Sequence, residues 1–141
     1  MNKPVCTVYE PSSRYSKKVV RGLKINNEVE FGYRYSLIVE IQGEGFSYAR
    51  VIFKEVLGFR VLDEVDLCEF WNDYAEPNGW LYEVHSGGWM ELENYRNRFI
   101  SLEIFNGWKE YLLVDNQCIS VICAQKPIIE ELGGNFLNEK N

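Results

Sequence analysis

The sequence predicts a mainly β fold: an antiparallel sandwich or open, curled barrel, with one short amphipathic helix near 63–74. Three observations predict it. Apolar and polar residues alternate over long stretches, most plainly from Tyr33 to Gln42. Gly and Asn-Gly turn signals separate the apolar runs. Helical spacing is clear in a single window, LDEVDLCEFWNDYAEP.

The elements follow in order. Val5 to Tyr9 and Val19 to Ile25 read as strands in the less patterned N-terminal part. Tyr33, Tyr35, Leu37, Val39 and Ile41 share one strand face and predict a strongly buried side. After the turn signal Gly43-Glu44-Gly45, Phe46 to Leu57 forms the second arm of a hairpin and continues to Leu62, with Gly58 marking a bulge or bend. In the helix, Leu67, Phe70, Trp71 and Tyr74 fall at i, i+3, i+4 and i+7; Asp63 is a plausible N-cap and acidic residues favour the first turn. Pro77 and Gly79 end it.

Trp80 to His85, the loop Ser86-Gly87-Gly88 and Trp89 to Glu93 read as a second hairpin. Its first arm puts Trp80, Tyr82 and Val84 on one face and Leu81, Glu83 and His85 on the other. Phe99 to Phe105, Trp108 to Val114 and Cys118 to Ala124 complete a meander. All 141 residues are expected to form one domain, with 133–141 as a frayed tail.

Composition narrows the class. Apolar residues make up 46% and charged residues 26%, the balance of a folded globular chain rather than a disordered one. No apolar run approaches bilayer-crossing length, and the N-terminus lacks an apolar signal core, so a cytoplasmic protein with no membrane partner is expected. Cys6, Cys68, Cys118 and Cys123 form no CxxC pair and read as reduced, packed thiols. With one histidine and no ligand spacing, neither a metal site nor a cofactor is expected.

The net charge of −6 is unevenly placed. Met1 to Lys24 is basic, whereas Val61 to Tyr95 has no Lys or Arg. Such a chain is a poor nucleic-acid binder, because phosphate contacts need cations, and it suits a basic protein partner. The basic segment RYSKKVVRGLK carries little aromatic interleaving and reads as an edge decoration or an offset to the acidic half.

Catalytic motifs are absent: there is no P-loop, GxGxxG or GxSxG. His85, with Glu83 or Glu91 nearby, is the one candidate general base. The acidic run also holds Trp71, Trp80 and Trp89; the first two fit a core, and Trp89 after Gly87-Gly88 is the candidate for partial exposure.

Three phrases occur in order: ARVIFKEVLGFRVLDEVDLCEFW from Ala49, GWLYEVHSGGWMELE from Gly79 and EYLLVDNQCISVICAQKPII from Glu110. Together, over about the last two thirds of the chain, they resemble small bacterial proteins that look like immunity proteins of polymorphic toxin and contact-dependent inhibition systems. The resemblance implies a cytoplasmic protein that binds and blocks a toxin without catalysis. No catalytic residue is carried over.

A basic toxin, for example a nuclease, would meet an acidic surface able to mimic phosphate. The candidate contacts are Glu64, Asp66, Glu69 and Asp73 from the helix, and Glu83, Trp89, Glu91 and Glu93 from the hairpin. Two alternatives stay open: a β domain binding a small molecule or peptide, and a hydrolase centred on His85 and a carboxylate. The oligomeric state is open.

Overall fold

Alternating burial along a curled antiparallel sheet organises the chain. The computed structural model describes residues 3–11, 19–27, 35–43, 48–70, 73–74, 79–96, 107–115 and 117–132. Its strands are β1 (Val5–Glu10), β2 (Val19–Asn27), β3 (Tyr35–Gln42), β4 (Tyr48–Asp63), β5 (Leu81–Ser86), β6 (Lys109–Leu113), β7 (Gln117–Cys123) and β8 (Ile128–Glu131). They pair antiparallel in the order β1-β5-β6-β7-β4-β3-β2, and β8 also pairs with β4. The result is the open, curled half-barrel that the alternation predicts.

The long β4 makes the curl. Its first part pairs with β3 on one side and β8 on the other, and from Val56 onward it pairs with β7. The change of partner needs a bend. Glu55 supplies it with φ of 51°, in the left-handed region, and register shifts flank it. Gly58 was the expected bend. A register shift does fall between Val56 and Gly58, as a bulge there requires, while the left-handed residue, Glu55, lies three positions earlier.

Each sheet face has its own core. On the inner face, Leu37, Val39 and Ile41 of β3 pack with Val51 and Phe53 of β4, Tyr111 of β6 and Val121 of β7. Trp80, fully buried, joins this core and not that of Tyr82 and Val84, with which alternation had grouped it, because it precedes β5. On the outer face, Cys6, Tyr82, Val84, Leu112 and Cys118 pack beneath Leu67 and Phe70. Cys118 and Cys123 therefore lie on opposite faces, as their spacing requires. All four thiols are free, and burial pushes Cys6 and Cys123 up to about 12, which keeps them protonated packing groups.

Two expected elements differ. The helix over 63–74 is a seven-residue 3-10 helix, Glu64–Phe70, interrupted at Leu67 (φ −125°, ψ 36°). Asp63 caps it by accepting the Val65 N–H at 3.1 Å. Its three-residue period still places Leu67 and Phe70 on one side, so the expected face survives in a tighter form. Tyr74 reaches the same core and packs edge-on against Tyr82 at 5.5 Å.

The second arm of the expected Trp80–Glu93 hairpin is not a strand. Trp89–Asn94 forms a helical turn and a half, α1. The tail 133–141, the strand expected over 99–105, Trp71 and residues 14–18 of the basic segment lie outside the described residues.

Candidate functional site

The site is built around α1, which returns over the outer face of the sheet. WMELEN contains good helix formers, but six residues are too few to hold a helix unaided. Glu110 of β6 supplies what is missing. Its Oε2 accepts the Trp89 N–H at 3.0 Å and its Oε1 accepts the Met90 N–H at 2.8 Å. Two orphan donors at the helix start are thus satisfied by one carboxylate from a distant strand. Glu91 reaches back to accept the Gly87 N–H, a relative of the capping box.

Glu110 is 2% exposed. Burial raises its pKa, while the Met90 and Trp89 N–H groups and the Arg60 guanidinium pull it down and Glu91 pushes it up.

Trp89 then packs beside β4. Its ring lies beside Gly58, where a Cβ would meet it at 3.4 Å, an ordinary contact distance. Arg60, two residues along β4, stacks over the same ring at 5.4 Å. Its Nε is buried without a hydrogen-bond partner. Burial lowers the Arg60 pKa, against the pull of Glu110, Glu69 and Glu93. Carboxylates from the 3-10 helix and from α1 therefore converge on one guanidinium. Trp89 Nε1 also donates to Glu93 at 3.1 Å, and Arg96 donates to the other oxygen of Glu93.

No known family, curated protein or solved structure matches this chain.

The eight expected contact residues divide into groups. Glu64, Asp66 and Glu69 are exposed on the 3-10 helix, and Glu69 and Glu93 share Arg60. Trp89, Glu91 and Glu93 are half-buried and hold α1 together as well as bordering the surface. Asp73 is exposed but pairs with Lys3 at 3.1 Å. Glu83 departs from the set: it faces the inner side of the sheet, where it accepts the Tyr111 hydroxyl at 3.2 Å. Strand alternation puts it there, opposite Val84 and Glu110.

Glu83 instead belongs with His85. The His85 Nδ1 lies 3.4 Å from Glu83 Oε2, and its Nε2 lies 2.9 Å from the Thr7 hydroxyl of β1. A hydroxyl, an imidazole and a carboxylate are thus aligned, with buried Tyr111 holding the carboxylate from behind. Glu91 is on the other face and takes no part.

Beside α1 a cleft of about 250 Å³ is lined by Val84, His85, Ser86, Met90, Glu91 and Glu110. Among the described residues no group of three or more His, Cys, Asp or Glu could hold a metal ion, and no helix is long and apolar enough to cross a membrane.

Glu110, Arg60 and Thr7 were not singled out from the sequence. Glu110 carried one signal: a carboxylate directly before the apolar run Tyr111, Leu112 and Leu113 of its strand. Thr7 and Arg60 are brought to their partners only by pairing between strands distant in sequence.

Proposed function

We propose that the chain is a non-catalytic, cytoplasmic binding protein that occludes a basic protein, in the manner of an immunity protein neutralising a cognate bacterial toxin. One observation carries this reading. Glu69 and Glu93, from two separate segments, act on the same Arg60–Trp89 stack, so two acids of the run that are distant in sequence meet on one face. Asp66 and Glu69 are exposed there, where a cationic partner can reach them. Charge complementarity speeds encounter and selects the partner, and a half-buried tryptophan with arginine is the side-chain type that anchors interfaces. The sequence resemblance to immunity proteins points the same way.

The test is capture of the partner from host lysate at low and high salt, comparing the wild type with Asp66→Lys/Glu69→Lys. One stoichiometric basic protein, released by salt and bound at least about tenfold more weakly by the variant, is expected, which is about 1.4 kcal/mol. Equal binding by the two proteins would remove this face from the interface.

The Thr7–His85–Glu83 alignment favours a second reading, a hydrolase with Thr7 as nucleophile and His85 as base. Binding without catalysis predicts that His85→Ala leaves the hydrolysis of a chromogenic acetate ester at the wild-type level. A fall of about a hundredfold or more would instead establish His85 as a base.

A further inference from the structure

We infer that the Tyr74 hydroxyl guards the outer edge of β1 against pairing with β1 of a second copy of this chain, a device separate from the face proposed for the basic partner. Among the described residues β1 is the last strand of the sheet, with β5 as its neighbour. An antiparallel edge strand turns the N–H and C=O of every second residue away from the sheet, and those groups recruit further strands.

The composition of β1 leaves this edge open to its own copy. Val5 to Tyr9 carries no charge, so the same strand of a second molecule meets no repulsion there. Val5 and Val8 are 51% and 43% exposed, apolar surface that an added strand would cover. A two-fold pair would bring the same edge from both copies.

Tyr74 occupies that edge. Its hydroxyl accepts the Cys6 N–H at 3.0 Å and donates to the Pro4 carbonyl at 3.5 Å. Pro4 and Cys6 are two residues apart, so these groups point the same way. They are the two bonds that the C=O and N–H of a neighbouring strand would make. A phenol carries no onward ladder of donors and acceptors, so the sheet stops at it.

The guard is held in place from two sides. The Tyr74 ring packs edge-on against Tyr82 at 5.5 Å, and the adjacent Asp73 pairs with Lys3 at 3.1 Å. The pairing of β1 with β5 shifts register between Val5 and Cys6 and again between Val8 and Glu10. The regular part, Cys6 to Val8, therefore begins at the residue the hydroxyl holds.

The test is sedimentation equilibrium of the full chain over a range of concentrations, comparing the wild type with Tyr74→Phe, which keeps the ring and removes the hydroxyl. Tyr74→Phe is expected to self-associate at least about tenfold more tightly, because both copies lose the competing hydroxyl. Adding Val5→Lys should return association to the wild-type level, since lysine on an edge strand opposes pairing. No gain, or a gain that Val5→Lys leaves in place, would overturn the guard.

Amide exchange of the wild type checks the same contact without a variant. The Cys6 N–H should exchange at least about tenfold more slowly than that of Val8, the next residue facing this edge. Exchange at Cys6 as fast as at Val8 would show that the hydroxyl does not hold the edge.

Discussion

Gly87→Ala is expected to lower the unfolding free energy by about 3 kcal/mol. Two costs add. Gly87 has φ of +73°, where an L side chain meets backbone strain of about 1–2 kcal/mol. Its Cβ would also lie 2.5 Å from the Lys3 carbonyl oxygen, 2.6 Å from the Lys3 carbonyl carbon and 2.7 Å from the Pro4 Cα. All three are backbone atoms, so no rotamer change relieves the clash, and the start of β1 must move away from β5. The smaller conformational entropy of unfolded alanine returns only about 0.4–1 kcal/mol.

Gly58→Ala is the matched control. Its Cβ meets only the Trp89 ring, at 3.4 Å, an ordinary contact. It is expected to stay within about 1 kcal/mol of the wild type. Urea denaturation measures both, and amide exchange in β1 locates the damage. A Gly87→Ala protein within 1 kcal/mol of the wild type, with β1 still protected, would show that the close approach of Lys3 and Pro4 is not required.

Strand alternation made most of the sheet legible. Leu37, Val39 and Ile41 are buried because a period of two against one core leaves no other arrangement. The errors fall where tertiary contacts decide. WMELEN alternates like a strand and also consists of helix formers, so pattern alone cannot choose. The Glu110 carboxylate chooses, by giving the Trp89 and Met90 N–H groups an acceptor that a strand would not need.

The same holds for LDEVDLCEFW. Its apolar face was readable, but the break at Leu67 follows from seating Leu67 and Phe70 over Tyr82 and Leu112. For the candidate site, charge along the chain foretold the exposed acids of the 3-10 helix. Alternation had already set Glu83 beside His85 on one face, but neither it nor charge could foretell that Thr7 meets His85 or that Arg60 stacks on Trp89. Those juxtapositions depend on which strands become neighbours.

Glu110→Ala is the second large effect, expected at about 3 kcal/mol. It strips the acceptor from two part-buried N–H groups, each costing up to about 1–3 kcal/mol when left unpaired, and the gain from no longer burying a carboxylate offsets part of that. The loss should be local first: exchange protection at Trp89 and Met90 disappears while the β6 and β7 amides stay protected. Glu110→Gln keeps one carbonyl acceptor but sets its NH₂ against the other N–H, so about 1–2 kcal/mol is expected.

The pair with wild type also reports on charge. Burial raises the Glu110 pKa above 4.5, so the folded protein holds that proton more tightly than the unfolded chain does. The stabilisation from this tighter hold is fully present below the unfolded carboxylate value and is lost as pH rises through the folded one. Glutamine does not titrate. The stability of the wild type relative to Glu110→Gln should therefore increase as pH falls from neutral through that window. A flat difference would mean that the two N–H bonds and Arg60 cancel the burial cost. A difference moving the other way would mean that the α1 N-terminus and Arg60 dominate and Glu110 is held ionised, making it an electrostatic anchor of the face rather than a carboxylate under strain.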